Sequence, residues 1–582
     1  MTYSDNLSIN WARWMNRLAA RRVTLSRPAT GFVSQPEPRT IGSFAKGRQL
    51  ISGNFLFAGH LLQGAGQSLW DVASPDESFS TELQGFIWLD DLAAVGDTAA
   101  RKVAQDWLWQ WIALYGHGAG SGWTPELTGR RLIRWINHAI FLLRGQEAER
   151  STQFYRSLGQ QTLFLERRWR ASPPGLPRFE ALIGLIYAGL SLEGMEGQLP
   201  TALKALAKEC NVQISEQGGI PTRNPEELLE VFTLLNWTAM ALHEAGKTPS
   251  DAHRAAIERI APTLRTLRHA DGSLARFHGG GRGLTGRLDH ALAESGVKHG
   301  QPMGLSMGFA RLSAGRTSII IDAAAPPKGK ASTEAHASTL AFELTSGRRP
   351  LIVNCGSGRS FGSQWRRAGR ATPSHSALVM DGHSSSRLGS TDENRDWLTQ
   401  VPMRVPVAIN PAPDGISFEG QHDGYRQTHG LIHRRKLEVV FDGSGIVGEE
   451  TLFIPSDQDK RVFDKQMDAR NLLGINFDIR FHLHPDVEAS LDMGGTMVSM
   501  VLKSGEMWLF RTDSACQLKL EPSVYLEKHR LKPRATKQVI LSGRAMEYAS
   551  RIRWSLAKPE DAPVSIRDLV QDDLDGLTDL EN

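Results

Sequence analysis

The sequence predicts a multidomain α+β protein in which a helical domain precedes a large antiparallel β-sandwich. The chain has 582 residues, which is too long for one compact core. The spacing of its apolar residues changes from three-and-four to two at about residue 300, as expected where helices give way to strands. Hydrophobic residues make up 40% of the chain and charged residues 22%, so both domains have enough apolar side chains to fill a core.

Helices are predicted up to about residue 270. Segments 82–97 and 99–116 carry apolar residues at three-and-four spacing, and each reaches a glycine at its end, a common helix stop. Thr124 is predicted to cap a helix that has Pro125 at its first position. Successive helices joined by short loops indicate a ring or solenoid of helical hairpins.

Tryptophan is concentrated in this helical half, where eleven of the fifteen residues lie at or before Trp237. Large aromatic side chains usually fill helix–helix interfaces. A few can instead line a groove and stack on sugar rings. Trp123, beside the glycine-rich loop "GHGAGSGW", and Trp135 are the better candidates for that role.

Strands are predicted after about residue 300, in segments such as 316–327, 338–356 and 477–490. Glycine-containing turns such as "DGSG" and "KSGE" separate several of them, which is typical of a large antiparallel sandwich. The domain boundary is predicted in or shortly after the glycine-rich stretch "HGGGRGLTG". We divide the chain into an N-terminal extension, a helical domain, a sandwich domain and an acidic tail (1–50, 51–290, 291–563 and 564–582).

Charge and cysteine content exclude several classes of protein. A net charge of +4 without a sustained Lys/Arg block argues against a nucleic-acid partner but is compatible with a local patch that gathers an acidic substrate. The three cysteines (Cys210, Cys355 and Cys516) are far apart and form no CxxC pair. No apolar run is long enough to span a membrane. The first residues lack a secretory signal, which predicts a cytoplasmic location.

A set of local motifs resembles the heparinase II/III-like polysaccharide lyases over roughly residues 50 to 560. Its members include "FIWLDDLA", "WTPELTGRRLIRWINHA", "EAHASTLAFEL", "RATPSHSALVMDG" and "HDGYRQTHGLIHRR". The resemblance implies an incomplete (α/α) toroid joined to an antiparallel β-sandwich. It also implies β-elimination of a uronate polysaccharide in a groove between the two domains, and often one structural zinc ion in the sandwich. Family members commonly work in the periplasm or cell envelope, the alternative to the cytoplasm.

The resemblance implies three chemical tasks. The enzyme must neutralise the uronate carboxylate, remove the weakly acidic C5 proton and protonate the departing C4 oxygen. In such lyases an Asn, Gln or Arg usually attends the carboxylate, while Tyr and His act as acid and base.

In the sandwich, the resemblance points to the segment "STEAHASTLAFEL". The family often has His-x-His here, and this chain has Glu334 at the first position and His336 at the second. Glu334 remains a candidate base. His336, Asn354 and His375 correspond to the metal positions, although an asparagine is a poorer zinc ligand than the usual aspartate. The alternatives are histidines that are hydrogen-bonded in a polar sandwich centre, or a direct catalytic role for His336.

In the toroid, the family's tyrosine position in "GGIPTRNPEELLE" holds Glu227. Glu227 is a candidate base if burial raises its pKa; the alternative is a solvated glutamate that complements the helix dipole. Arg223 and Asn224 are candidates for contacting a substrate carboxylate, and Asn224 before Pro225 also reads as an N-cap.

Further candidates lie elsewhere in the chain. Tyr425 in "HDGY" is a candidate acid or base, and His278 is a candidate groove residue that a loop histidine would resemble. The basic cluster "QWRRAGR", with Arg366, Arg367 and Arg370, is either a binding site for an acidic chain or an ordinary charged surface.

The resulting hypothesis is a polysaccharide lyase-like protein that cleaves a uronate-containing acidic polysaccharide. The alternative is a non-catalytic or altered family member that binds an acidic saccharide or a cell-envelope polymer. The family tyrosine and first histidine are replaced, and "PPGLPRFE" stands in place of the family's asparagine-containing motif. A metal-dependent hydrolase would need a complete ligand set, which we cannot assemble from the sequence. The sequence does not predict the oligomeric state.

Overall fold

A computed structural model describes residues 3–24, 26, 29–35, 37–298, 304–391, 394–513, 516–528 and 530–559. The predicted acidic tail at 564–582 lies outside the described residues. Within them, no helix combines the length and the apolar character that crossing a bilayer requires.

The N-terminal half is helical, as predicted, with one small β-hairpin. Its helices are α1 (Tyr3–Val23), α2 (Phe44–Ile51), α3 (Glu77–Gln84), α4 (Ile87–Val95), α5 (Thr98–Tyr115), α6 (Pro125–Asn137), α7 (Ala139–Leu143), α8 (Ala148–Arg168), α9 (Leu176–Ser191), α10 (Leu199–Gln213), α11 (Pro225–Glu244), α12 (Asp251–Leu267) and α13 (Arg287–Glu294). The hairpin strands are β1 (Asn54–Phe57) and β2 (His60–Gln63). The predicted boundary at residue 290 falls inside α13.

Local sequence signals explain where several of these helices begin. The Thr124 hydroxyl accepts a hydrogen bond from the Leu127 backbone N–H at 3.4 Å, with Pro125 in the first turn, as predicted. Helices α6 and α9 pack closely because Gly129 has no side chain. A Cβ atom there would lie 2.1 Å from the Glu180 carbonyl oxygen, so no other residue fits without moving a helix.

The C-terminal half is the predicted antiparallel sandwich. Its strands are β3 (Phe309–Ala314), β4 (Thr317–Asp322), β5 (Phe342–Ser346), β6 (Arg349–Val353), β7 (Leu378–Met380), β8 (Arg387–Leu388), β9 (Leu398–Gln400), β10 (Val407–Ala412), β11 (Gly415–His422), β12 (Ile432–Val440), β13 (Gly445–Phe453), β14 (Ile475–Leu483), β15 (Glu488–Asp492), β16 (Met497–Val501), β17 (Met507–Thr512), β18 (Gln517–Tyr525), β19 (Arg534–Ala545) and β20 (Ala549–Ala557). Helices α14 (Ser363–Gly369), α15 (Arg426–His429) and α16 (Asp457–Asp468) lie between them.

Two large sheets form the sandwich. One has the strand order β10-β11-β12-β13-β20-β17-β16-β15, and the other has β18-β19-β14-β6-β5-β4-β3 with β7 pairing to β14. Strand β12 alternates between buried and half-buried residues, as expected when one face meets solvent. Every residue of β4 is buried, because its sheet packs against the other sheet on one face and the toroid on the other.

The toroid and the sandwich share a packed interface. Ile320 of β4 belongs to the same apolar cluster as the toroid side chains, while its neighbours Ile319 and Ile321 belong to the sandwich core. The rings of Phe277 and Phe309 lie 5.1 Å apart across the interface. The residues between α12 and β6 are therefore held between the packed side chains of the toroid and those of the sandwich.

Candidate functional site

A buried histidine centre lies where the toroid meets the sandwich. The rings of His336 and His375 are 4.9 Å apart, and the His278 ring is 6.0 Å from His336. All three side chains are at most 1% exposed. Burial, with the neighbouring histidines adding to it, holds the pKa of His336 well below its usual range and lowers the pKa of His375 to about 3, so both rings are neutral at pH 7.

Hydrogen bonds fix the proton positions on two of these rings. The His336 backbone N–H donates to His278 Nδ1 at 3.1 Å, so the His278 proton is on Nε2, which lies 3.3 Å from Asp322 Oδ2. The Gly279 backbone N–H donates to His336 Nε2 at 3.0 Å, which places the His336 proton on Nδ1. That Nδ1 and both ring nitrogens of His375 have no hydrogen-bond partner in the described part of the chain.

The predicted zinc ligands do not fit a metal ion. A His336 ring bound to a metal through Nδ1 would need its proton on Nε2, which instead accepts the Gly279 hydrogen bond. Asn354 turns its Oδ1 atom to the Ser376 backbone N–H at 3.0 Å. Among the described residues, His375 therefore has no set of partner ligands. We assign no metal ion to this centre.

Arg223 binds the two domains together and is not free to bind a substrate. Its Nη2 lies 2.6 Å from Asp322 Oδ1, a carboxylate with no exposed area. Burial alone would raise the pKa of Asp322, but the charge of Arg223 and hydrogen bonds from His278 and Ser338 lower it to about 2. The other guanidinium contacts are to the carbonyl oxygens of Met307, Gly308, Ala324 and Ala325. The prediction that Arg223 contacts a substrate carboxylate is wrong.

Asn224 is an N-cap. Its Oδ1 accepts hydrogen bonds from the Glu226 and Glu227 backbone N–H groups at 3.0 and 3.2 Å. The side-chain oxygen is therefore engaged in starting α11, which confirms the structural alternative for this residue.

Glu227 lies in the first turn of α11. Its Oε2 accepts a hydrogen bond from the Thr222 hydroxyl at 2.8 Å, and the side chain is half-buried. Burial raises the pKa of Glu227, and the nearby Glu180 carboxylate adds to that shift. The pKa of Glu227 is therefore raised, which is the condition under which this residue is a candidate base.

Glu334 is clamped by arginines of the sandwich half. Arg366 Nη2 donates to Glu334 Oε1 at 3.0 Å, and Arg359 Nη1 lies 3.6 Å from the same atom. The remaining donors of Arg366 bind Asp396 Oδ1 at 2.8 Å and the Thr333 carbonyl oxygen at 3.0 Å. A carboxylate of the chain itself therefore pairs with the guanidinium that an acidic chain could otherwise bind.

The rest of the predicted basic cluster divides into a structural and an exposed residue. Arg370 is buried and donates to the Ala335 and Ser332 carbonyl oxygens at 2.8 and 2.7 Å. It holds the loop that carries Glu334 and His336, so its prediction as a substrate-binding residue is wrong. Arg367 is exposed and remains a candidate.

Three further candidates are core residues. The Tyr425 hydroxyl is buried in the sandwich and donates to the Leu378 carbonyl oxygen at 2.7 Å; burial raises its pKa. Trp123 is buried in the toroid, where its Nε1 donates to the Tyr115 carbonyl oxygen at 2.7 Å, and Trp135 is fully buried. His278 lies in the histidine centre rather than in the groove. None of these side chains can reach a saccharide, so the predicted roles of Tyr425, Trp123 and His278 are wrong.

A charged cavity beside the histidine centre was missed at the sequence level. It has a volume of about 460 Å³ and is lined by residues from the toroid edge and the sandwich, including His269, Arg276, Glu343, His484 and Arg534. Glu343 Oε2 lies 3.0 Å from His269 Nε2 and 3.1 Å from the Arg276 backbone nitrogen. Glu343 of "STLAFEL" could have indicated this cavity, because a charged residue at a buried strand position needs polar partners.

Comparison with known proteins identifies the family. Residues 297–555 match the family model described as heparinase II/III-like, C-terminal. The chain is 30% identical over 554 residues to FtsZ-localized protein C from Caulobacter vibrioides, covering 93% of this chain and 92% of that protein.

The similar solved structures have the same fold at much lower identity. Heparinase III has a TM-score of 0.64 and 13% identity, over 92% of this chain and 88% of that one. Heparan sulfate lyase HepC from Pedobacter heparinus has a TM-score of 0.55 and 14% identity, over 93% and 87%. These likenesses support the predicted toroid and sandwich, and with the family model and the full-length relative they establish that the chain belongs to the heparinase II/III-like family.

Proposed function

We propose that this chain is an altered family member that does not perform β-elimination and acts as a binding protein that localises with FtsZ. The observation that carries the proposal is the ion pair of Glu334 with Arg366. It places a carboxylate of the protein against an arginine that the sequence offers for binding an acidic chain.

The first chemical task, neutralising the substrate carboxylate, lacks a free group at Arg366 and Arg223. Arg366 is engaged by Glu334 and Asp396, and Arg223 is engaged by Asp322. Displacing either internal carboxylate would leave it without its partner at the moment of binding, which opposes substrate binding.

The second and third tasks, proton removal and proton donation, lack exposed groups at two of the four predicted catalytic positions. His336 and Tyr425 have no exposed area, so neither of them can reach a saccharide. General acid–base catalysis requires the group to lie within hydrogen-bond reach of the proton that it moves.

The relationship to FtsZ-localized protein C supports the second part of the proposal. That protein is 30% identical over nearly the whole of both chains, whereas the lyase structures are 13% and 14% identical. A shared fold alone does not imply a shared activity, so the likeness to the lyase structures does not by itself assign elimination to this chain.

A second candidate function is uronate elimination with Glu227 as the base. The observation that favours it is the raised pKa of Glu227, which is half-buried in the first turn of α11. A carboxylate with a raised pKa is a stronger base once ionised.

An ultraviolet-absorbance screen against a panel of uronate polysaccharides separates the two candidates. Elimination creates a C4–C5 double bond conjugated to the carboxylate, which absorbs in the ultraviolet. We expect no increase in absorbance, because Arg366 is already paired with Glu334. An increase that Glu227→Gln abolishes and Glu438→Gln, a matched change on the outer sheet, leaves unaltered would establish the lyase instead.

Co-sedimentation with FtsZ polymers tests the localisation. We expect the chain to pellet with polymerised FtsZ and to stay in the supernatant when FtsZ is unpolymerised or absent. A fluorescent fusion should then follow FtsZ in cells of Caulobacter vibrioides, the organism of the relative. Failure of both tests would contradict the proposal even if the absorbance screen is negative.

Replacing Glu334 by glutamine should create a binding site for uronates. Glutamine keeps the size of the side chain but removes the negative charge that Arg366 and Arg359 share, while Arg366 keeps its ion pair with Asp396. We expect glucuronate oligosaccharides to bind roughly tenfold more tightly than to the unchanged protein, since one charge-assisted arginine–carboxylate pair contributes about 1.5 kcal/mol. Isothermal titration calorimetry measures this, with Glu438→Gln as the control; equal affinities would show that Glu334 does not block Arg366.

A further inference from the structure

A second cluster of metal-ligating side chains lies on the sandwich, outside the histidine centre. Asp381 and His383 belong to the turn after β7, and His429 is the last residue of α15. One ligand atom from each lies within 4.8 Å of the others. The rings of His383 and His429 are 5.2 Å apart and nearly perpendicular, at 78°. We call these three residues the Asp381 cluster.

The turn holds its two ligands on the same side by backbone hydrogen bonds. The His383 backbone N–H donates to the Met380 carbonyl oxygen at 2.7 Å, and the Asp381 backbone N–H donates to Asn476 at 2.8 Å. Asp381 has a φ of 49°, in the left-handed region that aspartate tolerates better than most residues. The third ligand, His429, is 1% exposed, so its position is set by the sandwich core.

The Nδ1 atoms of His383 and His429 both have hydrogen-bond partners, as the second nitrogen of a metal-bound histidine usually does. His383 Nδ1 lies 3.0 Å from the Asp381 carbonyl oxygen, a contact that places the proton on Nδ1 and leaves the Nε2 lone pair available. His429 Nδ1 lies 2.7 Å from the Thr428 hydroxyl, which again leaves Nε2. Histidines that bind metals almost always use their other nitrogen in this way.

We propose that the Asp381 cluster binds a divalent metal ion of the zinc class. Two imidazoles and one carboxylate are the ligand types that zinc takes, with a fourth position for water or an external ligand. In a tetrahedral site the ligand atoms lie about 3.3–3.5 Å apart, so the side chains close by roughly 1.5 Å at most on binding. Hard cations such as calcium and magnesium would need more oxygen ligands.

Neighbouring charges restrict the site without closing it. Arg470 forms an ion pair with Asp381 Oδ2, and the second oxygen of a carboxylate can bind an ion while the first holds an arginine. Arg387 and Arg470 both act on His429 electrostatically, which opposes a cation. This favours an ion that binds neutral imidazole strongly.

The ion would join two separate parts of the chain, and the Arg470–Asp381 ion pair adds a third. The turn after β7 carries Asp381 and His383, α15 carries His429, and Arg470 follows α16. The cluster differs in every residue from the family's predicted metal positions, whose geometry does not fit an ion. It rests on neither the lyase nor the FtsZ proposal.

Cobalt and zinc titrations of the full chain, stripped with a chelator, test the site. We expect one cobalt ion per chain to produce the visible d–d absorption of a tetrahedral site, and zinc to displace it. His383→Ala and Asp381→Asn, both changes of half-buried residues, should weaken zinc binding at least about tenfold. His60→Ala is the matched control, because His60 also lies beside an aspartate, Asp76, at 3.1 Å.

Two results would overturn the proposal. One is that the protein without any substitution binds no zinc at micromolar concentrations. The other is zinc binding that persists at full affinity in His383→Ala but is lost in His375→Asn, which would place the ion in the histidine centre. Because His429 is in the core and its replacement can prevent folding, the outcome is decided on His383 and Asp381.

Discussion

Replacing Arg223 by alanine is expected to lower the free energy of unfolding by about 3–5 kcal/mol, the usual cost of leaving a buried charge without its partner. Asp322 has no exposed area and depends on Arg223 for its ion pair at 2.6 Å. The change also removes the donors to four carbonyl oxygens of residues 307, 308, 324 and 325. Because these lie in the sandwich half and Arg223 lies in the toroid, the two domains should loosen together.

Urea unfolding at pH 7.5, followed by near-ultraviolet circular dichroism, measures the loss. Arg367→Ala is the matched control, since Arg367 is exposed and surface changes usually stay within about 0.5 kcal/mol. Arg223→Lys should recover only part of the stability, because an ammonium group cannot reproduce the planar fork. A midpoint for Arg223→Ala that equals the control's would show that Asp322 does not depend on this arginine.

Lowering the pH from 7.5 to 5.0 in chelator-containing buffer should cost about 4 kcal/mol of stability from two histidines alone. Burial lowers the pKa of His375 to about 3 and that of His482 to about 4, against about 6.5 in an unfolded chain. Between those values the unfolded state binds more protons. The stability is therefore complete above about pH 6.5 and falls with pH, by about 2 kcal/mol per histidine at pH 5.

Urea midpoints at both pH values, with a His482→Gln variant, check this prediction. Glutamine does not titrate, so the variant should lose about 2 kcal/mol less between the two pH values. His60→Gln, a change at a half-exposed histidine, should leave the loss unaltered. Asp322 acts in a separate window: its pKa of about 2 means that its contribution is complete above about pH 4 and declines only below it. Equal midpoints at pH 7.5 and 5.0 would contradict the prediction.

Much of the fold could be predicted because its signals are local. Thr124 and Asn224 cap helices in the structure as the sequence indicates. The apolar alternation of 432–440 is that of β12, with one face buried. Caps depend on hydrogen bonds two or three residues away, and alternation depends on the pleat of a strand. Both are therefore readable from a short stretch of sequence.

The candidate site was predicted less well because burial depends on distant partners. Tyr425 and Trp123 have the residue types of a saccharide site, yet both are in cores. The position of His278 could not be predicted for the same reason, because a loop sequence gives no sign that Asp322 lies beside its ring. The Glu334 clamp could be anticipated only in part, from the replaced histidine and the nearby "QWRRAGR".

The sequence by itself therefore determined the order of a helical and a β-domain, the family and the residues replaced in its motifs. Only the tertiary structure decided which charges are available. Arg223 and Asp322 are 99 residues apart, and Arg366 and Glu334 are 32 apart, so each pair forms only when separate elements pack. The physical reason is that periodicity and capping act within a few residues, whereas desolvation and ion pairing depend on everything that surrounds a side chain.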